Sequence, residues 1–160
     1  MNIKLIKIAN ETIKISKDKY YLFQNSQKDL NTNKKHPVYE KYNTDSVTIK
    51  DPGTLHYIEV KTHAKKVEVV EETTVDTILR FSNIYSPDTI GILNFASAKH
   101  PGGGFLNGAV AQEECLAYCS NLYMKQLKQD YYQINKKYNK FYTDTMIISQ
   151  VNFFRDAKYN

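Results

Sequence analysis

The stretch 96-ASAKHPGGGFLNGAVAQEECLAYC-119 decides how this chain reads. Three of its six glycines stand together at Gly102–Gly104, and Gln112-Glu113-Glu114 follow after a seven-residue spacer, Phe105–Ala111. Upstream, Thr89–Phe95 ("TIGILNF") is a continuous apolar run of strand length, of the kind expected for a strand buried on both faces. Downstream, apolar residues recur at helical spacing, and a long helix is expected from about Val110 to Gln126. A strand, a glycine loop and a helix N-terminus in succession make an anion cradle. Glycine lets backbone N–H groups approach a ligand without a Cβ in the way. The helix start adds unpaired N–H groups and the positive end of its dipole. A phosphate or pyrophosphate is the expected guest. A P-loop is excluded, because Gly108 is followed by Ala-Val instead of Lys-Ser/Thr. A dinucleotide fingerprint is excluded too, because no acidic ribose reader follows on a second strand.

Glu113 and Glu114 raise this loop above a structural turn. Adjacent helical residues point about 100° apart. One carboxylate can therefore face the crevice while its neighbour fixes a hydroxyl or the loop. One acid in a first turn is explained by the helix dipole; Gln112, Glu113 and Glu114 together are not. A carboxylate beside a bound pyrophosphate is expected to hold its proton more tightly, through burial and like charge. It would then serve as a general acid at neutral pH. Cleavage of a bond near a phosphorylated sugar is the implied chemistry.

The totals fit one soluble domain. The chain has 160 residues, 41% of them hydrophobic and 24% charged, with a net charge of +5. The lysines are scattered, so the charge reads as a solvated basic surface, and no direct DNA binding is expected. Cys115 and Cys119 lie four residues apart on one helix. That spacing is poor for a disulfide and suits buried thiols in a reducing compartment. No histidine stands at ligand spacing, so no metal and no cofactor is expected. The N-terminus lacks a signal-peptide pattern and no window approaches a membrane span, which points to a cytoplasmic protein without a membrane partner.

Along the chain, an amphipathic helix is expected over residues 3–16, with Ile6, Ala9 and Ile13 on its face. Tyr20–Phe23 reads as a short strand. Ser26–Pro52 reads as loop, interrupted by a strand at Val47–Ile49. Lys66–Glu71 ("KVEVVE") alternates and reads as a strand. Thr74 is placed to cap a helix running to about Phe81, and Ser86-Pro87-Asp88 breaks the chain. Asp130–Phe141 is ambiguous. Thr145–Ile148 with Val151–Phe154 reads as another strand. The alternation is an α/β signature.

Asn94 to Glu114, "NFASAKHPGGGFLNGAVAQEE", resembles the signature of the microbial-type poly(ADP-ribose) glycohydrolases, a triple glycine followed by Gln-Glu-Glu after a short spacer. The likeness extends weakly to residues 8–15 and 73–81, and forward through 142–156. It implies a macrodomain-like fold, a three-layer α/β/α sandwich with an N-terminal accessory helix. It also implies ADP-ribose or poly(ADP-ribose) as the ligand. Carried onto this sequence, Gly102, Gly103 and Gly104 wrap the diphosphate and ribose. Glu114 is the catalytic acid/base, Glu113 holds ribose hydroxyls, Asn94 contacts the terminal ribose, and Gln112 supports the helix start. Phe105 either packs the loop or stacks on a sugar. Residues 1–65 are expected to be an accessory region and 66–160 the N-terminal part of the catalytic domain.

The matching pattern ends at Phe154-Arg155-Asp156, whereas members of that family continue well beyond it. The expectation is a fold truncated at its C-terminus, completed by a partner chain or left as an inactive remnant. An ADP-ribose-binding module without turnover is the alternative to an enzyme. A basic nucleic-acid-binding fragment, resting on net charge alone, is a third reading.

Overall fold

Leu5, Ile8, Ala9 and Thr12 recur at helical spacing, and they are the buried face of helix α1, Ile3–Asp18. The computed structural model describes residues 2–18, 20–22, 35–37, 47–49, 67–86, 90–137, 145–148 and 150–160. The expected helix is present. Its buried stripe is rotated slightly from the expected one, so that Ile6 and Ile13 flank it.

Strand β1 (Tyr20–Leu22) pairs antiparallel with β2 (Lys35–Pro37), in a stretch that reads as loop in the sequence. Strand β3 (Val47–Ile49) pairs antiparallel with β4 (Thr145–Ile147). Phe23 and much of Ser26–Pro52 lie outside the described residues. Of the expected continuation of β4, Phe153 forms a single bridge to Ser120.

Two expected strands are not strands. Within Lys66–Glu71, residues 67–70 form no ladder, and Val69 is 94% exposed. Within Thr89–Phe95, residues 90–95 form none either, and Leu93 and Phe95 are 75% and 72% exposed. Lys66 and Thr89 themselves lie outside the described residues. The physical reason is that strand structure belongs to a pair. β-Branched composition favours a pleated surface, but the ladder needs a neighbour. Neither segment has one among the described residues, where both sheets are two-stranded and antiparallel.

Helix α2 spans Thr74–Ser82. Its cap is Thr73, one residue before the expected one, because Thr73 is still extended while Thr74 is already helical. The Thr73 hydroxyl accepts from the Asp76 amide at 3.1 Å and donates to Asp76 Oδ2 at 2.7 Å. The following Pro87-Asp88 lies outside the described residues.

The expected long helix is two. Helix α3 runs Gln112–Cys119 and α4 runs Leu122–Gln126, with Ser120 fully extended between them. Ser and Asn side chains compete with helical hydrogen bonds, and here they do so together. Ser120 Oγ donates to the Leu116 carbonyl and accepts from the Leu122 amide. The Asn121 amide donates to the Asn152 carbonyl, and Asn121 Oδ1 accepts from the Asn152 amide. The ambiguous 130–141 region contains a short helix α5, Tyr131–Lys136.

Helix α3 is the axis of the molecule. On one side Ala117 and Tyr118 pack with Leu5, Ile8, Ala9 and Phe105. On the other, Leu116 and Cys119 pack with Val75, Ile78 and Leu122. A helix buried on both flanks has no polar face to place outward, so its two first-turn glutamates are carried inward. Arg155 ties the packing together. Its guanidinium donates to Thr12 Oγ1 and to the Tyr118 carbonyl, and pairs with Glu11 at 2.9 Å. A cation at the C-terminal end of α3 also complements its dipole. Arg155 thus has a structural role, through a backbone carbonyl and Glu11.

Both cysteines are free. Burial pushes the Cys119 thiol up to about 12, while its Sγ donates to the Asp156 carbonyl. Among the described residues no helix is long and apolar enough to cross a membrane.

Candidate active site

The site is built from the first turn of α3 upward. Gln112 uses both ends of its amide on the chain opposite. Nε2 donates to the Leu93 carbonyl at 2.8 Å, and Oε1 accepts from the Phe95 amide at 2.9 Å. The residue between, Asn94, is thereby held in place. Its Oδ1 is buried and has no hydrogen-bond partner among the described residues. A buried amide oxygen with no partner costs free energy unless something completes it. Asn94 is thus positioned by the helix start rather than by a sheet.

Glu113 and Glu114 are 3% and 7% exposed. Both oxygens of Glu113 are engaged. Oε1 accepts from Gln126 Nε2 at 2.8 Å and Oε2 from the Ser97 amide at 2.7 Å. Glu114 Oε1 accepts from the Gly104 amide at 2.7 Å, and Oε2 has no donor among the described residues. The pair is therefore asymmetric, with one carboxylate fixed at both ends and the other at one.

The triple-glycine turn lies directly on these carboxylates. Gly103 has φ +56°, and a Cβ there would fall onto Glu114 Oε1 and lie 3.1 Å from Glu113 Oε2. The amide of Gly103 reaches back to the His100 carbonyl, and that of Phe105 to Gly102. Gly103→Ala should therefore displace the Glu114 carboxylate from the Gly104 amide. The left-handed backbone adds about 1–2 kcal/mol of destabilisation. A thermal melt that matched wild type would show that the turn accommodates a side chain.

Phe105 has a fully buried side chain. Its ring lies 5.0 Å from that of Tyr118 and 4.8 Å from that of Tyr123. Of its two expected roles, packing is the one it performs, because an enclosed ring offers no face to a sugar. The Tyr118 hydroxyl shares its hydrogen between the carbonyls of Phe105 and Ala109, anchoring the start of the short 3-10 turn Phe105–Asn107 and the chain just past its exit. His100 is exposed, and its amide donates to Ser97 Oγ.

Residues behind the site carry no sequence signal that singles them out. Gln126 stands thirteen positions from Glu113, on a different helix. Ser97 acts through its backbone. Asn135 of α5 donates to the Ala98 carbonyl at 3.1 Å. These contacts arise only when α4 and α5 fold back over the loop, so local spacing could not have found them.

Glu113 holds its proton more tightly than an ordinary glutamate. Its pKa is raised, first by desolvation and further by the charge of Glu114, against the opposing donors of Ser97, Gln126 and Gly102. The folded protein thus binds this proton more tightly than the unfolded chain, so the associated stability is present at low pH. It is lost as pH rises through the raised folded value. The melting temperature of Glu113→Gln should accordingly gain on wild type as pH rises above the ordinary glutamate value of about 4.3. Parallel curves would mean that Glu113 titrates as it does unfolded.

Among the described residues no group of three or more His, Cys, Asp or Glu side chains is gathered to hold a metal ion. By fold and site the chain falls in the class of domains that lay a glycine turn over paired, buried carboxylates at a helix N-terminus. The family model for the microbial-type PARG (poly(ADP-ribose) glycohydrolase) catalytic domain matches residues 9–156, and the chain belongs to that family. Poly(ADP-ribose) glycohydrolase from Thermomonospora curvata, in its crystal structure with the inhibitor ADP-HPD, superposes with a TM-score of 0.78 at 30% identity. That match covers 99% of this chain and 57% of the other. A second crystal structure of the Thermomonospora curvata enzyme gives 0.80 at 28% identity, covering 99% and 59%. The chain thus spans less than three-fifths of the length of these solved relatives. No curated protein matches the chain.

Proposed function

We propose that this chain carries the catalytic carboxylates of a poly(ADP-ribose) glycohydrolase, hydrolysing the ribose–ribose O-glycosidic bond of poly(ADP-ribose). One observation carries the reading: the two buried glutamates beneath the glycine turn are occupied unequally. Both Glu113 oxygens are held by protein donors, which suits a fixed acceptor for ribose hydroxyls. Glu114 Oε2 has no donor among the described residues, which suits proton traffic. In the proposed reaction Glu114 gives its proton to the departing ribose oxygen as the C–O bond breaks. An oxocarbenium-like centre forms beside the diphosphate held by Gly102–Gly104. The Glu114 carboxylate then takes a proton from the attacking water, which supplies the new C–O bond and restores the acid. One carboxylate serves both steps, unlike the two-carboxylate glycosidase plan. Asn94, with its unpartnered buried Oδ1, takes the terminal ribose.

The three-layer α/β/α arrangement is part of the same proposal. Residues 67–70 and 90–95 become sheet strands when paired with strands corresponding to the portion of the solved relatives that this chain does not cover. A second chain can supply them. Residues 1–65 then form the accessory region and 66–160 the start of the catalytic domain, joined through the packing of α1 on α3. The two free thiols, buried at Cys119 and half-buried at Cys115, suit a reducing cytoplasm.

The test is to titrate the chain with ADP-ribose by calorimetry and to incubate it with labelled poly(ADP-ribose), following release of ADP-ribose. Specific uptake with release supports the enzyme. Uptake without release identifies a binding module, and absence of uptake overturns the assignment of the ligand.

A further inference from the structure

Gly108 takes no part in the proposed reaction, yet its backbone has no room for a side chain. It closes the 3-10 turn with φ +75°, and its amide donates to the Phe105 carbonyl at 3.4 Å. A Cβ there would lie 2.7 Å from the carbonyl oxygen of Asn2 and 3.2 Å from its amide nitrogen. The start of α1 is therefore seated directly on the exit of the turn. Asn2 is itself held. Its Oδ1 accepts from the Leu5 amide at 3.3 Å and its carbonyl from the Ile6 amide at 3.1 Å, as a helix cap does. Further along the same helix, Leu5, Ile8 and Ala9 close on Phe105 and Tyr118.

From Gly108 the contact runs on to the carboxylate. The neighbouring Ala109 amide donates to the Gly104 carbonyl at 3.2 Å, and the Asn107 amide donates to the same oxygen at 2.9 Å. The amide of Gly104 in turn donates to Glu114 Oε1 at 2.7 Å. Gly104 is thus held on one side by the segment that rests on α1 and on the other by Glu114.

We propose that the start of α1 is a strut for the glycine turn. Asn2 and Gly108 are positioning residues: their backbone contact fixes the closed segment Gly104–Ala109, and with it the amide that orients Glu114. A closed turn can still rock as a unit, and a capped helix end set against it removes that freedom. The helix serves the reaction without touching the ligand. Misplacing a reacting group by about 1 Å can cost about 10²-fold in rate, so a contact this far from the chemistry carries weight. The inference rests on the proposed role of Glu114, but its first readout needs neither ligand nor turnover.

The experiment is amide hydrogen exchange by NMR in wild type, Gly108→Asn, Asn2→Ala and Asn10→Gly. Asn tolerates a left-handed backbone better than other side chains, so Gly108→Asn probes the contact more than the strain. Asn2→Ala removes the cap. Asn10→Gly, at an exposed position of α1, weakens the same helix away from the turn. The Gly104 amide should exchange about tenfold faster in Gly108→Asn and Asn2→Ala, while the amides of α3 keep their wild-type rates, as a local opening requires. Asn10→Gly should leave Gly104 unchanged. The second readout is release of ADP-ribose from labelled polymer. In Gly108→Asn kcat should fall about tenfold with KM little changed, the sign of an interaction felt in the transition state. In a Glu114→Gln background the same substitution should cost little further rate.

Unchanged exchange at Gly104 in folded Gly108→Asn overturns the strut, and so does an equal acceleration at Gly104 and throughout α3. Should that variant not fold, equal exchange at Gly104 in Asn2→Ala and Asn10→Gly overturns it instead. A loosened Gly104 with an undiminished kcat overturns its role in the reaction. If wild type releases no ADP-ribose while Gly104 responds as expected, the strut stands and the proposed reaction fails.

Discussion

Glu114→Gln should abolish most polymer hydrolysis while leaving the fold intact. The replacement keeps an oxygen in the place of Oε1, so the Gly104 amide retains an acceptor and the turn keeps its anchor. It removes the one exchangeable proton on which both proposed steps depend. Loss of a positioned general acid–base group typically costs about 10²–10⁴ in rate. ADP-ribose affinity should change much less, because the glycine turn, Glu113 and Asn94 remain. Release of ADP-ribose from labelled polymer, measured at saturating substrate, gives the comparison. Equal rates in the two proteins would remove Glu114 from the mechanism. A matching loss of affinity and rate would assign it to binding.

Phe105→Ala should be the most destabilising single change near the site. The ring is fully enclosed and packs at a tilt against both Tyr118 and Tyr123, with Leu5, Ile8 and Ala9 of α1 in the same cluster. Emptying such a position costs about 3–5 kcal/mol, a large share of the roughly 5–15 kcal/mol by which domains are stable. The effect should also reach the site. Phe105 directly follows Gly104, whose amide holds Glu114, and its own amide closes the turn onto Gly102. A cavity beneath the turn frees it to drift from the carboxylates. Denaturant unfolding measures the first effect. The second is a fall in ADP-ribose affinity under conditions where the variant is still folded. Phe105→Leu should recover most of both, because it refills much of the volume. A Phe105→Ala protein as stable as wild type would contradict the packing described here.

Tyr118 connects these two expectations. Its hydroxyl reaches the carbonyls of Phe105 and Ala109, and burial with the charge of Glu114 raises its pKa to about 12. It therefore remains a donor across the working pH range. Removing the hydroxyl would release the far side of the segment that Phe105 anchors by its ring.

The sequence by itself determined what is local or chemically distinctive. The amphipathic α1 was legible from periodicity, because a helix makes its own hydrogen bonds and needs neighbours only along one stripe. The triple glycine and Gln112-Glu113-Glu114 were legible because their types and order are costly unless a turn must approach two acids closely. Gly103 shows why: there is no room for a Cβ between backbone and carboxylate. Tertiary structure alone decided the rest. Val67–Val70 and Ile90–Phe95 carry strand composition without strand structure, because a ladder is a property of two segments and neither has a partner among the described residues. The break at Ser120-Asn121 depends on Asn152 and Phe153, more than thirty positions away. The side chain of Phe105 was turned inward by two tyrosines and α1. The side-chain donor to Glu113 comes from Gln126, on a helix that reaches the site only after the chain has folded back, so no local pattern could record it.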